Sequence, residues 1–225
     1  MIGAPQEMSR EPGSSYERFV VKQLLHRCLL VCVLLGGVVA LPRAAEMSSA
    51  AQPVDRFQSG LIEVMRAGKQ LGFEGRRDRL RALLTDVFDI PYMARVLLGQ
   101  YGRDMAPDKR QALEDVIFLF AVSALASAFD DYDGQQFEIG RISQLKSGRA
   151  RVRSEFVEDD GDRIKLNFLV RNAKPKWRIV DLYFDGISGI RIYRAEFRSV
   201  LSQQSADYLI SELHRRVAKL ESEAT

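Results

Sequence analysis

The sequence predicts an α+β fold in which helices pack on one face of an antiparallel sheet. Apolar residues recur at helical spacing through the stretches 55–71, 76–88 and 107–129. Between residues 136 and 184 the spacing changes to every second residue, which is typical of half-buried strands. Helices followed by strands and then by further helices is an α+β order. We expect about four strands in a meander, with helices covering one side of the sheet.

An export segment precedes the predicted domain. The run 28–41 carries no charged residue, basic residues stand before it, and small residues follow it. This order predicts a signal peptide with an N-terminal extension over residues 1–45. A small polar linker over 46–54 and a single domain over 55–225 then follow. The run is short for a membrane-spanning helix, which needs about 20 apolar residues; an uncleaved N-terminal anchor is the alternative.

Charge and cysteine content support an exported protein with no nucleic-acid partner. The chain has 33 basic and 30 acidic residues, of which five and three lie before residue 46, leaving 28 and 27 in the body. Because the charges are so evenly balanced, we expect no concentrated basic patch that could bind nucleic acid. Both cysteines, Cys28 and Cys32, lie in the apolar run. A processed chain would have no thiol and would suit an oxidising compartment.

Glycine and proline divide the helical region that precedes the sheet. The first helix is expected to begin at Asp55, a favourable N-cap, and to end at Gly72. A second helix is expected over 76–88. Pro91, at an early helical position, restarts a short helix that runs to Leu98.

Pro107 is expected to open the longest helix, which runs to about Phe129. Its stretch 116–129 contains no charge and has large apolar groups in every direction. A helix that is apolar all round is buried on all sides, and this run is too short to cross a bilayer. Its spacing is equally compatible with a solid core and with a helix that has one face on a cavity.

The strands are expected over 136–146, 149–156, 164–170 and 177–184, and the final helical stretch over 188–220 with a break near 205. One apolar face and one basic face are expected for the sheet. A strongly twisted sheet that curls around a long apolar helix makes a cone, and such cones commonly enclose a pocket.

The usual catalytic and metal-binding patterns are absent from the sequence. His214 is the one histidine after the export segment, and it lies beside Arg215 and Arg216, as a solvated residue would. A zinc site would then rest on carboxylates. The run 130–134 resembles a calcium loop, but it has Phe129 where the EF-hand pattern needs Asp. We expect no metal, no cofactor and no enzymatic activity.

Asp181 is the one candidate for acid–base chemistry. Small cone-shaped enzymes use an Asp with a nearby Tyr as a general base, and Tyr183 is close in sequence. However, strict strand alternation puts Asp181 on the face of Trp177, Ile179 and Tyr183, and not with Val180, Leu182 and Phe184. A structural ion pair with an arginine is therefore the favoured interpretation.

Two segments resemble signatures of a known family. Residues 88–95 read FDIPYMAR and 98–101 read LGQY, while residues 177–188 and 193–197 carry the second signature. Together with a closing helix over 207–213, they resemble the toluene-tolerance family, typified by the periplasmic phospholipid carrier MlaC. The likeness extends over about 55–220.

Within this family, two stretches are most similar to HpnM, the hopanoid-biosynthesis-associated subgroup. They are residues 71–76 and 194–201. The departures agree with that placement. Gly102 stands where the phospholipid carriers often have a Trp, and Gly-Ile-Arg-Ile follows Ser188 in place of the more typical Leu-Val-x-Asn.

The resemblance implies a nuclear-transport-factor-like cone with an acyl-chain pocket between helices and sheet. It implies a periplasmic carrier that moves a phospholipid or a hopanoid between membranes, with transient membrane contact. It further implies exchange with an inner-membrane lipid transport complex, and it carries over no catalytic residue. An isomerase-type enzyme using Asp181 and a ligand-free interaction protein are the alternatives.

A carrier of this kind needs large apolar side chains around its cargo, a headgroup near the mouth and hinges that open the pocket. The predicted pocket residues are Met93, Leu97, Phe118, Val122, Leu125, Phe129, Phe168, Val170, Leu182 and Phe184. Ordinary core packing is the alternative for each. The predicted mouth residues are Arg95, Tyr101 and Tyr193, and the predicted hinges are Gly99, Gly102 and Gly186.

Overall fold

The structure is a computed structural model that describes residues 41–224, with side chains from residue 49 onward. The predicted export segment therefore lies outside the described residues, apart from its last few positions. The helices are α1 (Leu41–Arg66), α2 (Gly68–Val87), α3 (Ile90–Asp104), α4 (Pro107–Ala128), α5 (Gly189–Gln203) and α6 (Ala206–Glu223). The strands are β1 (Gln136–Leu145), β2 (Arg149–Val157), β3 (Arg163–Asn172), β4 (Trp177–Phe184) and β5 (Ile187–Ser188).

The expected linker over 46–54 is wrong, because these residues belong to α1. Ala50 and Val54 are fully buried in the core, so packing fixes a stretch whose small polar composition indicated a linker. With 26 residues α1 is also longer than α4, which has 22, so the longest helix is not the one that Pro107 opens. The position at which the mature chain begins stays a prediction.

Two glycines interrupt helices that the sequence predicted they would end. Gly72 has φ 61° and ψ 179° inside α2, and Gly99 has φ 57° and ψ −125° inside α3. These backbone conformations suit glycine because it has no Cβ to clash. The chain resumes a helix after each kink, so α2 begins earlier than expected and α3 ends later.

The strands form one sheet in the order β1-β2-β3-β4-β5, with every neighbouring pair antiparallel. The register pairs Ala150 with Val170 and Val152 with Phe168, and all four side chains are fully buried. This confirms the predicted apolar face of β2 and β3. The two-residue strand β5, which follows a tight turn after β4, was not expected.

The main core lies between α1 and the inner face of the sheet. The ring of Phe57 packs edge-on against Phe88 and Phe168, with centroids 5.2 and 5.9 Å away. One polar pair lies within this apolar layer: the side-chain amide of Gln58 donates a 2.6 Å hydrogen bond to Ser154 Oγ. Because α1 crosses β1 to β4, it joins the strands into one layer.

A second apolar cluster lies where α3, α4, α5 and α6 meet. Phe197 of α5 and Leu213 of α6 are buried there with Leu113 of α4. The opposite end of α4 contributes Val122 and Ala126 to the main core. Helix α4 is thus the element that joins the two clusters.

The prediction that α4 is buried on all sides is wrong. Phe118, Leu119 and Leu125 are only half-buried, and Ala121 is exposed. Among the described residues, α4 is the one helix whose length and composition would allow it to cross a membrane, a test that the core helix of a soluble protein also passes. Its incomplete burial leaves part of its apolar surface uncovered.

Candidate functional site

Nine of the ten predicted pocket residues belong to the main core or pack against it. Val122, Phe168 and Val170 are buried members of the main core. The half-buried side chains packed against it are Met93, Phe118, Leu125, Phe129, Leu182 and Phe184. Leu97 lies in the second cluster instead. That these residues line a cavity stays a prediction.

The half-buried members of this set lie on α3, α4 and the end of β4. Phe129, at the C-cap of α4, meets Phe156 of β2 edge-on, with ring centroids 6.1 Å apart. Leu182 and Phe184 lie on the same sheet face as Phe168, because the register pairs Leu182 with Phe168. Where Phe129 meets Phe156, a half-buried ring of the helical layer contacts a buried ring of the sheet. That the region accepts an apolar chain stays a prediction.

The predicted mouth residues lie apart from these nine. Arg95 is exposed and Tyr101 half-buried, on either side of the kink at Gly99 in α3. The ring of Tyr193 packs against Phe120 of the second cluster, with centroids 5.9 Å apart. The structure thus associates Tyr193 with the second cluster rather than with the main core.

A half-open cavity of about 330 Å³ lies where α2 begins and α4 ends, and none of the ten predicted pocket residues lines it. Its lining residues are Lys69, Gly72, Phe73, Arg76, Asp130, Asp131 and Ala224. At its rim Lys69 Nζ lies 2.7 Å from Asp131 Oδ2. This hydrogen-bonded ion pair raises the pKa of Lys69 and lowers the pKa of Asp131. Apart from Gly72, which forms the kink in α2, no sequence pattern indicated this cavity.

Arg76 closes the inner wall of that cavity, and only 3% of it is exposed. Its Nε donates a 2.8 Å hydrogen bond to the carbonyl of Ala126, and Nη1 donates one of 2.9 Å to the carbonyl of Gly68. Nη2 has no partner among the described residues. The Ala126 carbonyl belongs to the last turn of α4, where the helix dipole favours a cation. Arg76 therefore fastens α2 to α4.

Asp181 is buried, but its partners differ from the expected arginine. Its Oδ2 accepts a 2.6 Å hydrogen bond from Ser188 Oγ. Its Oδ1 accepts from the backbone N–H groups of Leu182 at 2.8 Å and Ile190 at 3.2 Å. Within the described residues no arginine forms an ion pair with Asp181, so that prediction is wrong.

A β-bulge places Asp181 and Ile179 on different faces of the sheet, whereas Asp181 shares the face of Tyr183 and lies opposite Leu182, as predicted. The register pairs Asp181 with Leu169 and then Ile179 with Val170, which leaves Val180 without a partner. The extra residue shifts the alternation. As a result Ile179 and Leu182, which strict alternation separated, both face the main core.

The surroundings of Asp181 favour a structural role. All three hydrogen bonds tie the carboxylate to β4, to β5 or to the first turn of α5. Burial, with a contribution from the Asp181 carboxylate, raises the pKa of Tyr183. Asp181 and Tyr183 interact, as the enzyme alternative requires. However, the carboxylate oxygens of Asp181 accept hydrogen bonds from the residues that form the turn between β4 and α5.

The remaining candidates for polar chemistry are dispersed. His214 is exposed on α6, as predicted. Across residues 41–224 no three His, Cys, Asp or Glu side chains are grouped closely enough to hold a metal ion. The run 130–134 connects α4 to β1 and places Asp130 and Asp131 at the half-open cavity.

Comparison with known proteins supports the fold and points to one family. The model of the family described as MlaC protein matches residues 55–215. Among solved structures, the phospholipid-binding protein from Ralstonia solanacearum, in complex with a phospholipid, is similar with a TM-score of 0.67. The match covers 76% of this chain and 98% of that one, at 17% sequence identity. The predicted α+β fold is thereby confirmed.

Proposed function

The chain belongs to the MlaC protein family, and on that premise we propose that it is a phospholipid-binding carrier without enzymatic activity. The observation that carries the proposal is the half-buried apolar region between α3, α4 and the sheet. It occurs in a fold shared with a protein that was solved with a phospholipid bound. Acyl chains are the cargo that such a region fits, because it offers apolar contact and few polar groups.

The energetics of such a site favour cargo with long acyl chains. Each methylene removed from water contributes roughly 0.8 kcal/mol. A two-chain lipid therefore binds firmly even when its headgroup contacts little protein. Such binding does not require hydrogen bonds to the headgroup. This agrees with the structure, in which the predicted mouth residues Arg95, Tyr101 and Tyr193 are not part of the main core.

Loading the region requires helices and sheet to separate. Gly99, with its positive φ, and Gly186, with φ 87°, lie at joints of α3 and of the turn after β4. Gly102 differs, because a Cβ there would come within 2.8 Å of the Leu98 Cβ. We assign the opening motion to the first two glycines and a close-packing role to Gly102.

We further propose a second cargo, a compartment and a partner for the protein. Residues 71–76 and 194–201 resemble the HpnM subgroup, which favours a hopanoid as a second cargo. The apolar run 28–41 favours export to the periplasm. A carrier exchanging lipid between two membranes would hand its cargo to or from an inner-membrane lipid transport complex.

Extraction of the purified protein tests the proposal directly. The full-length gene is expressed in a bacterium that makes both phospholipids and hopanoids, and the periplasmic protein is extracted with organic solvent. Mass spectrometry should recover about one lipid per protein and identify its class. Protein that is folded and free of lipid would overturn the carrier function.

A pair of leucine variants locates the site. Leu125→Gln puts an amide into the apolar region, whereas Leu145→Gln changes a leucine that is 37% exposed at the end of β1. We expect the first variant to lose most of its lipid and the second to keep it. Equal lipid content in both folded variants would place the cargo elsewhere.

A further inference from the structure

Helix α5 has one apolar side and one side of arginines. Phe197 is buried and Val200 half-buried against the second cluster. Arg191, Arg194 and Arg198 are exposed, and their spacing of three and four residues places them in one row along the helix. No acidic residue of α5 is exposed.

Helix α3 adds a fourth arginine to this row. Arg194 Nη2 lies 3.8 Å from the position that a Cβ on Gly99 would occupy, so the row runs beside the kink in α3. Arg95 precedes Gly99 by four residues in α3 and is exposed. We call Arg95, Arg191, Arg194 and Arg198 the arginine face.

The arginine face lacks counterions within the protein. Along residues 49–224, none of its four members lies within 4.0 Å of a carboxylate oxygen. Some other arginines are paired with carboxylates, as Arg163 is with Glu138 and Glu155. Since the body of the chain is nearly neutral overall, this face is a local excess of positive charge.

An exposed aliphatic side chain stands at the start of this helix. Ile187 is 52% exposed and lies just after the turn formed by Asp185 and Gly186, which have φ 46° and 87°. Positive φ at both positions is typical of the tight two-residue hairpin turn. The turn leads through Ser188, the N-cap, directly into α5.

From these features we infer that the arginine face and Ile187 dock the protein on an anionic phospholipid bilayer. A cation near such a surface strengthens binding about fivefold, before screening by salt. Arginine side chains can lie along the interface while their charges meet the phosphates. An exposed aliphatic group beside them can enter the headgroup layer, which favours a bilayer over an acidic protein. The inference rests on the proposed carrier function, since a lipid carrier must meet a membrane.

Vesicle sedimentation tests the docking surface. The full chain is mixed with vesicles of phosphatidylcholine containing about one third phosphatidylglycerol, or of phosphatidylcholine alone, at low and high salt. We expect preferential, salt-sensitive binding to the anionic vesicles. The triple variant Arg191→Gln, Arg194→Gln, Arg198→Gln should bind them at least tenfold more weakly.

A matched triple variant controls for net charge. Arg141→Gln, Arg153→Gln and Lys165→Gln remove three exposed cations from the sheet side of the molecule. The control should change binding less than twofold. Ile187→Ser should weaken binding at both salt concentrations, because its contribution is apolar. Equal losses in the two triple variants, or wild-type binding without preference for anionic vesicles, would overturn the inference, and would leave an acidic protein as the partner to examine.

The same preparations separate this inference from the carrier function. Lipid extracted from the arginine-face variant should match wild type, because the row lies outside the apolar region that holds the cargo. A protein that carries no lipid but sediments with anionic vesicles would overturn the carrier function alone. A lipid-loaded protein that ignores anionic vesicles would overturn the docking surface alone.

Discussion

The Ser188 hydroxyl donates a 2.6 Å hydrogen bond to the Asp181 carboxylate, and this contact joins the last long strand to the helix that follows it. Ser188 Oγ also accepts from the backbone N–H of Arg191, which makes it the N-cap of α5. The carboxylate thus orients the capping residue as well as bonding to Ile190. The orientation of α5, and of its arginine face, depends on this buried pair.

Replacing Asp181 with Asn should therefore reduce stability. An amide at this position cannot accept from all three donors, and an unpaired buried donor costs about 1–3 kcal/mol. We expect the free energy of unfolding, measured with urea, to fall by that amount. The control is Asp185→Asn, an exposed residue whose positive φ Asn tolerates.

Lipid content distinguishes this structural role from a catalytic one. Folded Asp181→Asn protein should retain its lipid, since the carboxylate serves the turn and not the cargo. A variant as stable as wild type would contradict the structural role and would revive the isomerase alternative.

Arg76 offers a second test, because it joins two helices through their backbone carbonyls. Arg76→Met leaves the carbonyls of Ala126 and Gly68 without their donor. Removing the buried charge offsets part of this loss, and we expect the free energy of unfolding to fall by about 2 kcal/mol. Arg79→Met, on the exposed side of the same helix, should change it by less than about 0.5 kcal/mol. Similar values for the two variants would show that Arg76 does not fasten α2 to α4.

The sequence was most informative where local residues decide where an element begins and ends. Strand β4 has the predicted bounds, Trp177–Phe184, because polar turns flank its apolar residues. The helix breaks at Ser188 and Ser205 were also predictable, since both residues cap the helices that follow them. Local chemistry decides these features, and local chemistry is visible in the sequence.

Features decided by long-range packing were not predictable. The bulge at Val180 inserts one residue into a pattern that looks continuous, so the prediction that Asp181 shares a face with Ile179 was wrong. The burial of Arg76 depends on the end of α4, fifty residues away. The spacing of Arg191, Arg194 and Arg198 was visible, but their lack of counterions is a property of the fold.

The polar pair inside the main core should contribute through its hydrogen bond. Ser154→Ala leaves the buried Gln58 amide without its partner at a cost of about 1–3 kcal/mol. The double variant Gln58→Leu, Ser154→Ala removes both polar groups and should recover part of that loss. Urea unfolding of the four proteins of this cycle gives the coupling energy. Additive effects would show that the two side chains do not interact in solution.

The pH dependence of the free energy of unfolding should report the raised pKa of Glu158, which lies at the start of the acidic turn between β2 and β3. Burial, then repulsion from Asp160, Asp159 and Asp162, raises the pKa of Glu158 above its usual value. Folding therefore disfavours the ionised form, and this penalty applies at every pH above the folded pKa. It disappears as the pH falls below the unfolded value, where both states are protonated. Glu158→Gln should accordingly be more stable than wild type at pH 7, and the difference should vanish below about pH 4.

The exposed Glu63→Gln variant is the control. A stabilisation by Glu158→Gln that persists at low pH would assign the effect to packing instead of charge.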